Sequence, residues 1–110
     1  MAKNILKDIL IENNKEINIE KIQKTVADHF QIKISELKSS KRLKNLVYPR
    51  QIAMYICRNL TDMSYPEIGA KFGGKDHSTI IHAIKKIDKK MSEDLHARTL
   101  VEKLMDKLSN

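Results

Sequence analysis

Apolar residues recur at intervals of three and four along almost the whole chain, and only three glycines and two prolines are available to interrupt it. That spacing puts the apolar side chains on one face of an α-helix, and no parallel-sheet pattern accompanies it. The chain is therefore expected to be all-α. Ile5, Leu6, Ile9 and Leu10, set among Lys3, Lys7 and Asp8, predict a short amphipathic helix over residues 1–14, which the polar run Glu12–Lys15 ends. Residues 15–110 form the rest of the domain in this reading. Asn18 can cap a second helix with Ile19, Ile22, Val26, Ala27 and Phe30 on its apolar face. Ser35-Glu36-Leu37 reads as a single helical turn, and the periodicity fades between Ser39 and Tyr48, which predicts a loop.

Pro49 suits the first turn of a third helix, where a missing N–H costs nothing. The buried face of that helix would be Ile52, Ala53, Ile56, Cys57 and Leu60. Ser64-Tyr65-Pro66-Glu67 is a capping box, with a serine at the cap and a glutamate three residues on. The short helix it opens carries Ile68 and Phe72 and stops at Gly73-Gly74. Asp76 is then expected to cap a longer helix with Ile80, Ile84, Ile87 and Met91 on one face and Ile81 beside them. Ser92 is expected to start a last helix with the stripe Leu95, Leu100, Leu104 and Leu108.

Composition narrows the classes of function. With 41% hydrophobic and 32% charged residues, the chain can bury a core. Its 110 residues leave no room for a large catalytic module beside a second domain. Cys57 is the single cysteine, which excludes an internal disulfide and a cysteine-only metal site. No apolar run reaches membrane-spanning length and the N-terminus lacks a signal-peptide core, so a soluble, cytoplasmic protein is expected. The net charge of +7 is unevenly distributed: residues 31–60 hold seven basic groups against Glu36 alone. A basic concentration on a folded domain is the electrostatic footprint expected for a polyanion, although a solvated basic face has the same composition.

A short capped helix, a glycine turn and a longer helix is the plan of a helix-turn-helix, here Ser64–Phe72, Gly73–Lys75 and Asp76–Lys90. Asp76, His77, Ser78 and Thr79 gather four polar side chains in the first turn of the second helix. On an ordinary packed helix they would be a cap and a solvated turn. On a recognition helix they point into the major groove, where Asp accepts from cytosine N4 and Thr packs its methyl on thymine.

The competing motif is Gly69–Lys75, which fits the first seven positions of a phosphate-binding P-loop. That loop requires a hydroxyl next and a preceding strand, whereas the chain supplies Asp76 and a helix, so nucleotide binding is rejected. His77 and His82 lie five apart, off a common helix face, and complete no zinc set; His29 and His96 stand alone. Cys57 reads as a buried inert thiol and the methionines as filler. No enzyme, cofactor or metal is expected of this chain.

The stretch Phe72-Gly73-Gly74-Lys75-Asp76-His77-Ser78-Thr79-Ile80-Ile81-His82-Ala83, flanked by Tyr48–Tyr55 and Leu60–Gly69 in the same order and spacing, resembles the signature of the C-terminal DNA-binding domain of the DnaA family of bacterial replication initiators. The resemblance runs from about Ile17 to Ser109. It implies a compact multi-helix fold with a Trp-repressor-like helix-turn-helix, and an N-terminal helix similar to the linker to an ATPase module. ATP and Mg²⁺ would belong only to that module. It further implies binding of asymmetric duplex sites, the DnaA boxes of a replication origin, by a monomer associated with the nucleoid. By the same resemblance Arg42 enters the minor groove, and Pro66, Asp76, His77, Ser78 and Thr79 meet base edges in the major groove. Lys44, Arg50, Gln51, Arg58, Thr61 and Lys75 align with positions at or near phosphates. Leu43 and Lys44 stand where the family often has arginine, and Lys75 keeps the charge of a frequent arginine without its bidentate geometry. Two other readings are a stand-alone transcription regulator built on the same domain and a module binding acidic phospholipid or protein through the N-terminal helix.

Overall fold

The computed structural model describes residues 17–109, and the predicted helix at residues 1–14 lies outside them. Among the described residues there are six helices and no strand: α1 (Ile19–Phe30), α2 (Ile34–Leu37), α3 (Lys44–Leu60), α4 (Tyr65–Lys71), α5 (His77–Glu93) and α6 (Leu95–Ser109). The all-α expectation holds.

Helix ends follow the caps in the sequence at α1 and α4. The Asn18 side chain accepts from Lys21 N at 2.8 Å. In α4 the Glu67 N–H donates to Ser64 Oγ at 3.2 Å and the Ser64 N–H to Glu67 Oε1 at 2.8 Å, a closed capping box. Two boundaries and one cap bond differ from expectation. α3 begins at Lys44, so Pro49 lies inside it and the loop is shorter than predicted. Pro49 sits only in the second turn, so its missing N–H removes a single intrahelical bond. Asp76 does not cap α5 with its side chain; its main-chain carbonyl receives Thr79 N and Ile80 N, while the carboxylate faces His77. The last helix starts at Leu95 rather than Ser92: the hydroxyl of Ser92 donates back to Lys89 O within α5, and Asp94 Oδ1 accepts from His96 N at 2.9 Å.

α3 is the central column, fully burying Ile52, Ala53 and Ile56, with α5 packed along it and α1 on another side. Ile80, Ala83 and Ile87 of α5 and Ile68 and Phe72 of the α4 region close the same core. Fully burying an isoleucine or phenylalanine stabilises a fold by about 1.5–3 kcal/mol. α6 contributes Val101, Leu104 and Leu108, whereas Leu95, expected in its buried stripe, is 68% exposed. Leu95 precedes Leu104 by about two and a half helical turns at 3.6 residues per turn, which puts it on the opposite face, and Ala97 takes the buried position in line with Val101, Leu104 and Leu108.

One buried polar side chain orients α4 directly. Gln23 of α1 is 2% exposed and donates from Nε2 to Lys71 O at 2.9 Å, satisfying a carbonyl at the open end of α4. The short helix is thus held at both termini, by its capping box and by α1.

Candidate nucleic-acid interface

α4 hands over to α5 through a turn that only glycine serves well. Gly73 and Gly74 have φ of 87° and 77°, in the left-handed region. The Gly69 carbonyl accepts from Gly74 N at 3.0 Å and Lys75 N at 2.8 Å, which fixes the path of the turn. These two N–H groups are therefore engaged within the chain, whereas a phosphate-binding loop presents such groups to its ligand.

The turn delivers α5 with His77, Ser78 and Thr79 exposed in its first turn. Asp76 is likewise open to solvent and lies 3.7 Å from His77 Nδ1. Because the Asp76 carboxylate does not cap, the positive end of the α5 dipole faces outward unneutralised by a cap bond. Pro66 is exposed at the second position of α4.

Facing this surface is the segment Ser40–Leu43 that leads into α3. An open groove of about 660 Å³ runs between them, with Arg42 and Gln51 on one wall, Thr79, His82 and Lys86 on the other, and Gly73–Lys75 at its end. A second hollow of about 430 Å³ continues it past Lys44 and Tyr48 to Lys90. Lys90 Nζ lies 5.3 Å from the centre of the Tyr48 ring, a distance at which a cation is attracted to the aromatic face. Sequence reasoning assigns no nucleic-acid contact to His82, Lys86 or Lys90. Their signal is the spacing 82, 86, 90, a single stripe of α5 that continues from Thr79.

Arg42, Lys44, Gln51, Thr79 and Lys75 are thus brought together around one groove system. Arg58 and Thr61 are elsewhere, at the far end of α3, about 20–25 Å along the helix from Lys44. Arg58 donates to Met63 O at 2.9 Å and stacks 4.2 Å above the Tyr65 ring, leaving the rest of its guanidinium exposed. The Thr61 hydroxyl donates its one proton to Cys57 O and accepts from Met63 N at 3.2 Å, so it holds the α3–α4 corner.

Two of the residues expected at phosphates, Arg50 and Lys75, line the groove but commit their charged heads to acceptors of the chain itself. Arg50 is 6% exposed, and its guanidinium donates to Leu37 O (3.0 Å), Lys41 O (2.9 Å), Glu36 O (3.0 Å) and Ser39 Oγ (3.2 Å). Lys75 donates from Nζ to Ser39 O at 3.0 Å and Phe72 O at 2.8 Å. Burial, and then the neighbouring Arg50 charge, hold the Lys75 ammonium below its ordinary value.

A capped short helix, a two-glycine turn and a longer helix with an open polar first turn define a helix-turn-helix domain. Comparison with known proteins gives the family: the chain belongs to the helix-turn-helix of the bacterial DnaA protein, whose family model matches residues 19–87. It is 64% identical over 108 residues to the chromosomal replication initiator protein DnaA of Geotalea uraniireducens, covering 98% of this chain and 24% of that protein. It is 48% identical over 111 residues to the protein of the same description from Lactobacillus acidophilus, covering 100% of this chain and 24% of that one. The chain therefore spans about a quarter of the length of these curated relatives. Among solved structures it resembles that of a DNA replication initiation factor, with a TM-score of 0.75 and 31% identity over 94% of this chain and 31% of the other. It also resembles a replication initiator DnaA bound to AMPPCP and single-stranded DNA, with a TM-score of 0.66 and 30% identity over 96% of this chain and 32% of the other.

Proposed function

We propose that this chain is the duplex-recognition domain of a chromosomal replication initiator and binds DnaA boxes at the origin as a monomer. The observation that carries the reading is the groove itself: Arg42 on one wall and the Thr79-His82-Lys86 stripe of α5 on the other, with Asp76, His77 and Ser78 exposed just beyond its lining. In this arrangement α5 enters the major groove, with Asp76, His77, Ser78 and Thr79 at base edges and Pro66 beside them. Arg42 reaches the adjacent minor groove, whose negative potential is greatest where it is narrow and A·T-rich. Lys44, Gln51 and Arg58 set the register on phosphates, which carries affinity rather than sequence information. ATP and Mg²⁺ belong to another part of the longer protein, and the chemistry of origin opening with them.

The test is a titration of wild type, Asp76→Ala, Thr79→Ala and Arg58→Ala against a labelled DnaA-box duplex, a scrambled duplex and the box single strand at several salt concentrations. Asp76→Ala and Thr79→Ala should each cost the box duplex about 1–3 kcal/mol and change scrambled binding little. Arg58→Ala should weaken both duplexes alike and reduce the salt slope by about one. Preference for the single strand, or equal losses on both duplexes for Asp76→Ala and Thr79→Ala, would overturn the assignment of α5 as the reader.

A further inference from the structure

The segment Glu36–Lys41 is short, lies just before Arg42 and is gripped from two directions. Arg50 of α3 binds three of its carbonyls and the Ser39 hydroxyl. From the helix-turn-helix side, Lys75 binds the Ser39 carbonyl while its second bond, to Phe72 O, keeps it in the turn. Gly73 packs so closely that a Cβ there would run into the Lys38 carbonyl oxygen. Main-chain carbonyls held by charged donors make stronger bonds than neutral pairs do, and here three elements share them.

From this geometry we infer that Arg50 and Lys75 are positioning residues, a latch that locks the Arg42 loop to the α4–α5 turn so that the two reading elements are presented at one fixed separation. They act through Arg42 and not on phosphate. This deepens the proposed duplex recognition and rests on it. A latched Arg42 meets the minor groove without first ordering its loop, whereas a loose one must be ordered on binding and contributes less. Loosening the latch therefore lowers box affinity and leaves the number of neutralised phosphates unchanged.

The decisive comparison uses Lys75→Met, an unbranched side chain one atom shorter that removes the donors, with Lys75→Arg as the conservative rescue. Each is titrated against box and scrambled duplexes over a salt series, with and without Arg42→Ala. Lys75→Met should weaken box binding several-fold with an unchanged salt slope, and Lys75→Arg should recover most of it. The loss caused by Arg42→Ala should shrink by about threefold or more in the Lys75→Met background, because the two residues work as one unit. Amide exchange, read without DNA, should quicken at Ser39 and Lys41 in Lys75→Met while Val101 and Leu104 in α6 stay as protected as in wild type.

A salt slope reduced by about one, with equal loss on both duplexes and full additivity with Arg42→Ala, would make Lys75 a phosphate contact and overturn the latch. Unchanged exchange at Ser39 and Lys41 would overturn it too. Failure of the wild type to bind the box duplex would instead count against the proposed function, and the exchange experiment would still decide whether the latch exists.

Discussion

Gly73 and Gly74 are neighbours in one turn with similar positive φ, yet replacing each by alanine should have unequal effects. Both carry positive φ, so either alanine incurs the left-handed penalty of about 1–2 kcal/mol. Both also gain the same small benefit from a stiffer unfolded chain, which cancels in the comparison. The surroundings differ. A Cβ on Gly74 meets nothing within 4 Å, whereas one on Gly73 would stand 3.2 Å from the Lys38 carbonyl carbon and closer still to its oxygen. Lys38 cannot easily retreat, because its segment is tied down by Arg50 and Lys75. Overpacking of this kind costs about 1–3 kcal/mol, so Gly73→Ala should lose about 2–5 kcal/mol in all. For a domain of this size the Gly74→Ala penalty corresponds to a fall in melting temperature of roughly 5–15 °C, and Gly73→Ala should fall clearly further. Urea titrations of the two variants side by side, followed by far-ultraviolet circular dichroism, give the difference directly. If Gly73→Ala is no less stable than Gly74→Ala, the close approach of the turn to Lys38 is wrong, and with it one of the three grips on the Arg42 loop.

Two further outcomes test local chemistry. The Ser64 main-chain N–H, and then its side chain, hold the Glu67 carboxyl below its ordinary value. A lowered carboxyl contributes stability that is complete above the unfolded value and is lost as pH falls through the folded one, so the gap in urea midpoint between wild type and Glu67→Gln should close on acidification from neutral pH. A gap constant with pH would refute a charge-dependent capping box. Burial pushes the Cys57 thiol up to about 12, so it should resist an aromatic disulfide reagent at mildly alkaline pH and react fully once urea unfolds the chain. Rapid reaction of the native protein would show that the α3 core is open.

Elements whose signals are local were legible from the sequence. Asn18, the Ser64–Glu67 box and the Gly73-Gly74 stop each act within one turn, and each lies where its spacing put it. The start of α3 was not legible, because Pro49 is a strong marker of a first turn and the apolar residues before it, Leu46 and Val47, are interleaved with lysine and asparagine. What fixes that turn is tertiary: Leu46 is buried against the core. Asp94, not Ser92, caps α6 because both are good caps by composition and only packing selects between them. At the site, charge counting found the basic stretch but treated all its cations alike. Nothing in the spacing distinguishes Arg42, which faces outward, from Arg50, whose acceptors are carbonyls 9 and 14 residues away, or from Lys75, whose partner Ser39 is 36 residues away.

The length of α3 has a consequence on the scale of the duplex. Along its axis Arg58 lies about 21 Å from Lys44, where the Arg42 loop enters the helix. At about 3.4 Å per base-pair step, a rigid ruler of that length laid along a duplex would measure roughly six steps of a strand. The two ends of the ruler differ in kind, a guanidinium loop at one and a stacked arginine with α4 at the other, so on the proposed reading a bound chain has a head and a tail. The direction of each site then dictates which way its occupant points. A row of evenly spaced sites in one direction would line up identical chains like arrows, at regular intervals on a helical path set by the DNA.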